Sequence, residues 1–214
     1  MAKGGKMKIA VLVSGGGTNL QALIDYEKKT ENCPYQIELV IADTKKAYAL
    51  ERAAAAGIKT RVVSPYAVLG AEKAKLADRQ EKRLAVSDAA LAAAKEAGCE
   101  ALVLAGWLTV LSGKIIEEYS GRIVNLHPAL LPKFGGVGMW GHNVHEAVLA
   151  AGEKESGCTV HLVDSGCDTG TILVQKKVPV LPGDTPETLY GRIAPQEHLA
   201  MVEGVCILAG LLSQ

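Results

Sequence analysis

Near its start the chain reads Lys8-Ile9-Ala10-Val11-Leu12-Val13-Ser14-Gly15-Gly16-Gly17-Thr18-Asn19-Leu20, and this stretch decides the fold class. The apolar, β-branched run that ends at Val13 predicts a buried strand. Three glycines follow it, and Thr18 or Asn19 can cap a helix that runs to about Lys28. A strand, a glycine loop and a helix in this order are typical of an α/β fold.

The same alternation continues along the first two thirds of the chain. Strands are predicted over 36–42, 59–63, 101–105 and 122–126, and helices over 47–56, 73–97 and 112–119. The helix over 73–97 is expected to break near Val86-Ser87-Asp88, with Ser87 or Asp88 as a cap. The alternation predicts a Rossmann-like, mostly parallel twisted sheet with helices on both faces.

The pattern changes after Pro132. A glycine-rich loop over 135–141 and a short helix over 143–151 are followed by two strands, over 158–163 and 172–180, with no helix between them. Such neighbours are expected to pair antiparallel. A long terminal helix over 185–212, interrupted by Pro195, completes the predicted order.

Composition limits the classes of function. The chain has 214 residues, of which 49% are hydrophobic, and a net charge of zero. A neutral chain is not expected to bind nucleic acid or a membrane through bulk charge.

Five cysteines without a CxxC pair predict free thiols in a reducing compartment, so a soluble cytoplasmic protein is expected. Residues 1–6 are predicted to be a disordered tail, and residues 7–214 a single domain.

The glycine loop is a candidate anion site. Free backbone N–H groups and the helix dipole favour an anion where a glycine loop opens a helix. Leu20 stands where a dinucleotide site needs its third glycine, and no Gly-Lys-Ser/Thr follows as in a P-loop. A monophosphate therefore fits this loop better than a dinucleotide or triphosphate. A tight turn that only lets strand and helix pack is the alternative interpretation.

Two polar side chains mark the end of the strand over 122–126. Asn125 and His127 stand two residues apart, so an extended chain points both to one side. Pro128 and Pro132 then force a stiff loop. Two polar side chains at the end of a buried strand indicate a candidate catalytic site.

A second polar cluster follows on the strand over 158–163. His161 lies on that strand, and Asp168 lies in a loop rich in glycine and aspartate. Asp168 either forms a turn or pairs with a histidine, whose pKa it would raise. The sequence favours neither interpretation. His142 and His145 lack a third ligand at metal-site spacing, so no metal is predicted.

Together these motifs resemble the folate-dependent glycinamide ribonucleotide formyltransferases of purine synthesis. The similarity runs in unchanged order from about Met7 to about Leu199. It is carried by Ser14-Gly15-Gly16-Gly17-Thr18-Asn19-Leu20-Gln21, Leu104-Ala105-Gly106-Trp107, Asn125-Leu126-His127-Pro128-Ala129-Leu130-Leu131-Pro132, Val160-His161, Asp168 with Gly170, and Gln196-Glu197-His198.

The resemblance implies three groups of site residues. The implied catalytic residues are Asn125, His127, Asp168 and His161. The implied phosphoribosylglycinamide-binding residues are Gly17, Thr18, Asn19, Leu20, Gln21, Gln196 and Glu197. The implied folate-binding residues are Arg83, Leu108, Thr109, Val110, Leu111, Asn125, Asp164, Ser165, Gly166, Cys167 and Asp168. A cis peptide at Leu131-Pro132 is also implied.

The resemblance further implies a formyltransferase fold and a reaction. Residues 7–105 would bind the nucleotide phosphate, and residues 106–214 would bind folate and carry out catalysis. The reaction would move a formyl group from 10-formyltetrahydrofolate, a co-substrate, to glycinamide ribonucleotide, without a metal. A monomer or homodimer is expected. Family members often have Met-Arg where this chain has Leu108-Thr109, which predicts altered packing of the pterin pocket.

Several alternatives stay open. Within the superfamily these are a formyltetrahydrofolate hydrolase, a sugar-nucleotide N-formyltransferase and a methionyl-tRNA formyltransferase. Outside it, a non-catalytic phosphate-ligand binding protein needs the glycine loop but not Asn125, His127 and Asp168 together. A metal-dependent hydrolase built on His142 and His145 is the weakest alternative.

Overall fold

The computed structural model describes residues 5–214, so the predicted tail lies mostly outside the described residues. The strands are β1 (Met7–Val13), β2 (Tyr35–Ala42), β3 (Lys59–Val62), β4 (Ala101–Leu104), β5 (Ile123–His127), β6 (Glu155–Leu162) and β7 (Ile172–Pro179). The helices are α1 (Thr18–Lys29), α2 (Ala49–Ala55), α3 (Pro65–Leu69), α4 (Ala71–Leu76), α5 (Arg79–Glu96), α6 (Lys114–Glu118), α7 (His142–Ala150) and α8 (Pro186–Leu212).

All the described strands form one seven-stranded sheet in the order β3-β2-β1-β4-β5-β6-β7. The pairs from β3 to β5 are parallel, and the β5–β6 and β6–β7 pairs are antiparallel. The predicted sheet, its antiparallel end and the long terminal helix are therefore confirmed. The strand order reverses between β1 and β4, and open α/β sheets bind ligands at such a switch point.

Each face of the sheet has its own hydrophobic core. Helices α1 and α8 cover one face, with side chains such as Leu20 and Ile193 fully buried. Helices α5 and α6 cover the other face with Leu91 and Ile115. Burying one such side chain stabilises the fold by about 1.5–3 kcal/mol. These two cores hold the ends of β1, β4 and β5 in fixed positions.

A buried hydroxyl fixes the loop that follows β5. The Thr159 Oγ1 on β6 donates to the Ala129 carbonyl at 2.6 Å and accepts from the Leu131 N–H at 3.1 Å. Gln175 on β7 donates to the Leu131 carbonyl at 2.9 Å. The Leu131-Pro132 peptide is cis, as the resemblance implies. The loop next to His127 is thus tied to two strands.

The predicted helix break near Val86-Ser87-Asp88 is wrong, because α5 runs unbroken through these residues. The break lies earlier, where Asp78 caps α5 by accepting from the Glu81 N–H at 2.7 Å. The Ser87 hydroxyl is buried and accepts from the Ser112 N–H at 3.0 Å. A serine that resembles a cap in the sequence therefore binds a neighbouring loop.

Two further expectations about helix ends are corrected. Neither Thr18 nor Asn19 caps α1, since the cap position is Gly17, in a left-handed conformation. Pro195 does not interrupt α8, which continues to Leu212. Tertiary packing outweighs the tendency of proline to break a helix, because Ile193 and Glu197 are buried on either side of Pro195. Within residues 5–214, no helix has the length and apolarity needed to cross a membrane.

Candidate active site

Strand pairing brings Asn125 and His161 together. They are directly opposite each other on β5 and β6, and the Asn125 Nδ2 lies 3.2 Å from the His161 Nε2. The His161 Nδ1 lies 2.9 Å from the Leu162 carbonyl, which can only accept, so the ring proton is on Nδ1. The Nε2 then accepts one N–H of Asn125, which leaves the second amide N–H free.

Asp168 joins the two histidines. Its Oδ2 lies 3.5 Å from the His127 Nδ1, and its Oδ1 lies 3.4 Å from the His161 Nε2. The Gly136 N–H donates to Oδ2 at 3.0 Å. Asp168 has a φ of 58°, a left-handed conformation that non-glycine residues seldom adopt. The structure thus brings all four predicted catalytic residues into one cluster.

The Phe134 carbonyl orients the ring of His127. The His127 Nε2 lies 2.7 Å from this oxygen, so Nε2 carries the proton and Nδ1 faces Asp168. Burial lowers the pKa of His127 below its usual value, and Asp168 and the Phe134 carbonyl only partly offset this. Asp168 thus raises the pKa of its histidine partner, as expected, but burial outweighs it and the net pKa of His127 is lowered. The His127 ring is neutral at pH 7.

Asp168 itself is ionised. Burial disfavours its charge, but the net pKa of Asp168 is lowered, and the Gly136 N–H donates to its Oδ2. The cluster therefore holds a carboxylate between two imidazoles. A proton that reaches the His127 Nδ1 would form an imidazolium held by the Phe134 carbonyl on one side and by Asp168 on the other. Such an arrangement suits proton transfer at neutral pH.

The glycine loop follows β1 at the sheet's switch point, with β4 between it and the strand that carries Asn125 and His127. Among residues 5–214, no side chain caps the start of α1, and its first turn has no acidic residue. The first N–H groups of a helix lack partners within it, so this end attracts an anion. The Leu20 side chain is fully buried, so only its backbone faces the loop. The Gln21 Oε1 accepts a hydrogen bond from the Arg52 guanidinium at 3.2 Å.

Asn19 and Glu197 meet although they are far apart in sequence. The Asn19 Nδ2 donates to the Glu197 Oε2 at 3.3 Å, and both side chains are buried. Burial raises the pKa of Glu197 to about 7, although Asn19 opposes the rise. The half-buried Gln196 makes no side-chain hydrogen bond within the described residues. The two regions implied to bind the ribonucleotide thus touch through Asn19 and Glu197.

The raised pKa of Glu197 predicts a pH dependence of stability. Between pH 4.5, its ordinary pKa, and about pH 7, the folded protein keeps a proton that the unfolded chain releases. Stability is therefore lost as pH rises through this window, by up to roughly 3 kcal/mol. We expect Glu197→Gln to match the wild type near pH 4.5 and to exceed its unfolding free energy at pH 8. Urea unfolding at both pH values checks this, and an equal difference at both would contradict it.

Four of the predicted folate-binding residues line one cleft of about 200 Å³, namely Arg83, Leu108, Thr109 and Val110. Leu111, in contrast, packs on the hydrophobic core beneath. Asp164 accepts from the Gly166 N–H at 2.9 Å and from the Thr169 hydroxyl at 2.7 Å, so its side chain forms a turn. Ser165, Gly166 and Cys167 are exposed in that turn. Their binding roles stay predictions.

Sequence reasoning missed Asp43, which connects the glycine loop to the loop after β4. Its Oδ2 accepts from the Ser14 hydroxyl at 2.9 Å and from the Thr109 hydroxyl at 2.8 Å. The Ser14 Oγ in turn accepts from the Leu108 N–H at 2.8 Å. The signal in the sequence was a carboxylate directly after an apolar strand. Asp43 therefore fixes both loops relative to each other.

This network predicts a cost for removing the Thr109 hydroxyl. A hydrogen bond to a charged group contributes about 1.5–3 kcal/mol, less at a half-buried site. We expect Thr109→Val to lower the free energy of unfolding by about 1–2 kcal/mol. The control is Thr171→Val, because the Thr171 hydroxyl is exposed and has no hydrogen-bond partner in residues 5–214. Equal effects of the two substitutions in urea unfolding would contradict the assignment.

Within the described residues, His142 and His145 make no hydrogen bond to this cluster, whereas the Cys167 thiol donates to the Asp168 Oδ2 at 3.8 Å. His142 is half-exposed and lies 3.2 Å from Glu146, whereas His145 is buried against Tyr190. No group of metal-ligating side chains with metal-site geometry occurs in the described part of the chain. The cysteines are free thiols, as predicted, and Cys167 is the exposed one.

Known proteins are similar to this chain over most of its length. The family of formyl transferases matches residues 7–205. The trifunctional purine biosynthetic protein adenosine-3 of Drosophila pseudoobscura pseudoobscura is 43% identical over 206 residues, which are 95% of this chain and 14% of that protein. The phosphoribosylglycinamide formyltransferase of Escherichia coli K12 is 34% identical over 192 residues, which are 90% of this chain and 82% of that protein.

A solved structure agrees with these matches. The glycinamide ribonucleotide transformylase 1 of Symbiobacterium toebii has a TM-score of 0.83 and 35% identity, with 96% of this chain and 88% of that one covered. The chain spans less than a fifth of the trifunctional relatives it matches. The resemblance inferred from the motifs is confirmed. The chain belongs to the formyl transferase family, among the members named phosphoribosylglycinamide formyltransferase and the matching part of the trifunctional protein.

Proposed function

We propose that this protein transfers the formyl group of 10-formyltetrahydrofolate to the amine of glycinamide ribonucleotide. The products are the N-formyl ribonucleotide and tetrahydrofolate, so the reaction belongs to purine synthesis. The observation that carries the proposal is the cluster of Asn125, His127, His161 and Asp168, on the same sheet as the uncapped start of α1. Relatives named for this reaction support the choice of substrates.

The ribonucleotide would bind along the edge of the sheet between β1 and α8. Its phosphate would accept from backbone N–H groups at the start of α1, where Gly17 precedes Thr18. Glu197 would contact the sugar and amine end, and its hydrogen bond with Asn19 at the start of α1 supports this role. A bound cationic or hydroxylated group would add a second partner to the buried carboxyl, beside Asn19. Glu197 would then release its proton when the ribonucleotide binds.

The folate would lie across the cleft between α5 and the loop after β4. Leu108 and Val110 offer an apolar wall, and Arg83 offers a charge for a carboxylate. The loop Asp164–Asp168 would close the other side of the pterin pocket. This orientation directs the formyl group towards Asn125 and Asp168.

The chemistry follows from the protonation states of the cluster. The neutral amine attacks the formyl carbon, a C–N bond forms, and the carbonyl oxygen becomes an oxyanion. The free N–H of Asn125 donates to that oxygen, and one such donor is worth about 3 kcal/mol in the transition state. The amine proton passes by way of the Asp168 carboxylate to the Nδ1 of neutral His127. The imidazolium then protonates N10 as the C–N10 bond breaks.

An absorbance assay of the folate product tests this function. Purified protein is mixed with the 10-formylfolate donor, with and without glycinamide ribonucleotide. Product that appears only with the ribonucleotide is the expected result. Equal product without it would identify a hydrolase instead, and no product in either case would contradict the proposal. A sugar-nucleotide acceptor in a parallel sample tests the other transferase.

A further inference from the structure

The first turn of α2 holds the glycine loop from one side. The Ala49 N–H donates to the Gly15 carbonyl at 3.1 Å. The Arg52 Nε donates to the next carbonyl, that of Gly16, at 2.8 Å. Two successive carbonyls of the glycine loop therefore point towards α2 and away from the opposite side of the loop.

The same two peptides present N–H groups on that opposite side. Both peptides are trans, and in a planar trans peptide the C=O and the following N–H point in opposite directions. The N–H groups of Gly16 and Gly17 therefore point away from α2, and neither donates to a backbone carbonyl within residues 5–214. Successive N–H groups on one side of a loop form an anion-binding concavity. The contacts with α2 thus fix the orientation of donors that an anion can use.

The Arg52 side chain is itself held in place. Its Nη1 donates to the Gln21 Oε1 in the first turn of α1 at 3.2 Å, and its guanidinium carbon lies 5.2 Å from the centroid of the Tyr48 ring. Arg52 thus connects the glycine loop at Gly16 with the first turn of α1. Because a planar guanidinium donates in fixed directions, these contacts restrict its rotation and keep the Gly16 carbonyl in place.

No carboxylate neutralises the Arg52 guanidinium. In the part of the chain that the structure describes, no Asp or Glu oxygen lies within 4.0 Å of its nitrogens. Asp25, the first acidic residue of α1, accepts from the Gln21 amide at 2.9 Å instead. The first turn of α1 lacks an acidic residue, so the positive end of this helix and the Arg52 charge reinforce each other.

We propose that Arg52 is a positioning residue for the phosphate of the acceptor ribonucleotide. This inference rests on the proposed function, which puts that phosphate at the start of α1. Arg52 keeps the Gly16 carbonyl, which would repel an anion, turned away, so the N–H groups of Gly16 and Gly17 are oriented before the phosphate arrives. Its unpaired charge adds to the attraction. Arg52 therefore makes the acceptor site selective for a phosphate monoester over the same molecule without phosphate.

The test compares two acceptors, the ribonucleotide and the same molecule without its phosphate. We expect Arg52→Gln to raise the KM for the ribonucleotide about tenfold, the lower end of what a hydrogen bond to a charged group contributes. The kcat and the KM for the folate donor should stay unchanged. For the acceptor without phosphate, kcat/KM should be the same in variant and wild type. Equal losses with both acceptors would overturn the proposal, because a general loss of structure affects both alike.

A matched arginine and a competitor complete the test. Arg61→Gln removes an exposed guanidinium that pairs with Glu96 at 3.0 Å, so it should change neither KM. Ribose 5-phosphate carries the phosphate without the amine, and its inhibition constant should rise about tenfold in Arg52→Gln. An inhibition constant equal to that of the wild type would overturn the proposal and leave the transfer reaction intact. Absence of transfer to the ribonucleotide by the wild type would instead count against the proposed function.

Discussion

Replacing His127 or Asp168 with alanine is expected to lower turnover at least ~100-fold, the usual size of a general acid–base contribution. The neutral ring of His127 must take up a proton beside the ionised Asp168, and each group loses this function without the other. Asp168→Asn tests the charge alone, because the amide keeps the shape of the side chain. Steady-state rates at saturating substrates provide the measurement.

A matched control separates catalysis from the general effect of losing a histidine. His142 is 52% exposed at its side chain and contacts only Glu146 and Glu187 among charged groups of the described residues. We expect His142→Ala to keep nearly normal turnover. Near-normal turnover of folded His127→Ala and Asp168→Ala would refute the assigned roles. A loss as great in His142→Ala would show that the effect is not specific.

Gly17→Ala is expected to have the second largest effect, on both stability and binding of the ribonucleotide. Gly17 has a φ of 72°, and a Cβ there would lie 2.6 Å from the Ala49 Cβ and 2.9 Å from its Cα. The backbone conformation costs about 1–2 kcal/mol for an alanine. Displacing α2 costs a further ~1–3 kcal/mol. The loop N–H groups would also move, so phosphate affinity should fall.

Gly57 supplies the control for this prediction. Its φ of 73° is nearly the same, but a Cβ there meets nothing within 4 Å. Gly57→Ala should therefore show only the conformational cost and bind the ribonucleotide normally. Urea unfolding and calorimetric titration with the ribonucleotide measure both properties. Similar results for the two variants would mean that the contact with Ala49 is unimportant.

The sequence predicted those parts of the site that depend on local periodicity. Asn125 and His127 could be placed on one strand because alternation is a property of any strand, and apolar runs located β1 and β4. The absence of a helix between β6 and β7 predicted that these two strands pair antiparallel. The antiparallel pairing of β5 with β6, which puts Asn125 opposite His161, was not predicted. Helix boundaries were less predictable, because Asp78 and Ser87 are both plausible caps until packing distinguishes them.

The rest of the site depends on tertiary contacts that cannot be recognised from the residue types in the sequence. The Phe134 carbonyl and the Gly136 N–H are backbone groups, present at nearly every position in any sequence. The pKa of His127 falls because of burial, which is set by the whole fold, so its direction could not be inferred from the neighbouring carboxylate. The link from Asp43 to Thr109 spans 66 positions.

The destination of the formyl carbon tests the central claim most directly. A donor labelled with ¹³C at the formyl group is mixed with the protein and glycinamide ribonucleotide, and the label is followed by NMR. The account predicts that the signal moves to a formamide carbon on the ribonucleotide, and that Asp168→Ala slows this transfer at least ~100-fold. A signal that moves to free formate, at the same rate with or without the ribonucleotide, would contradict the account.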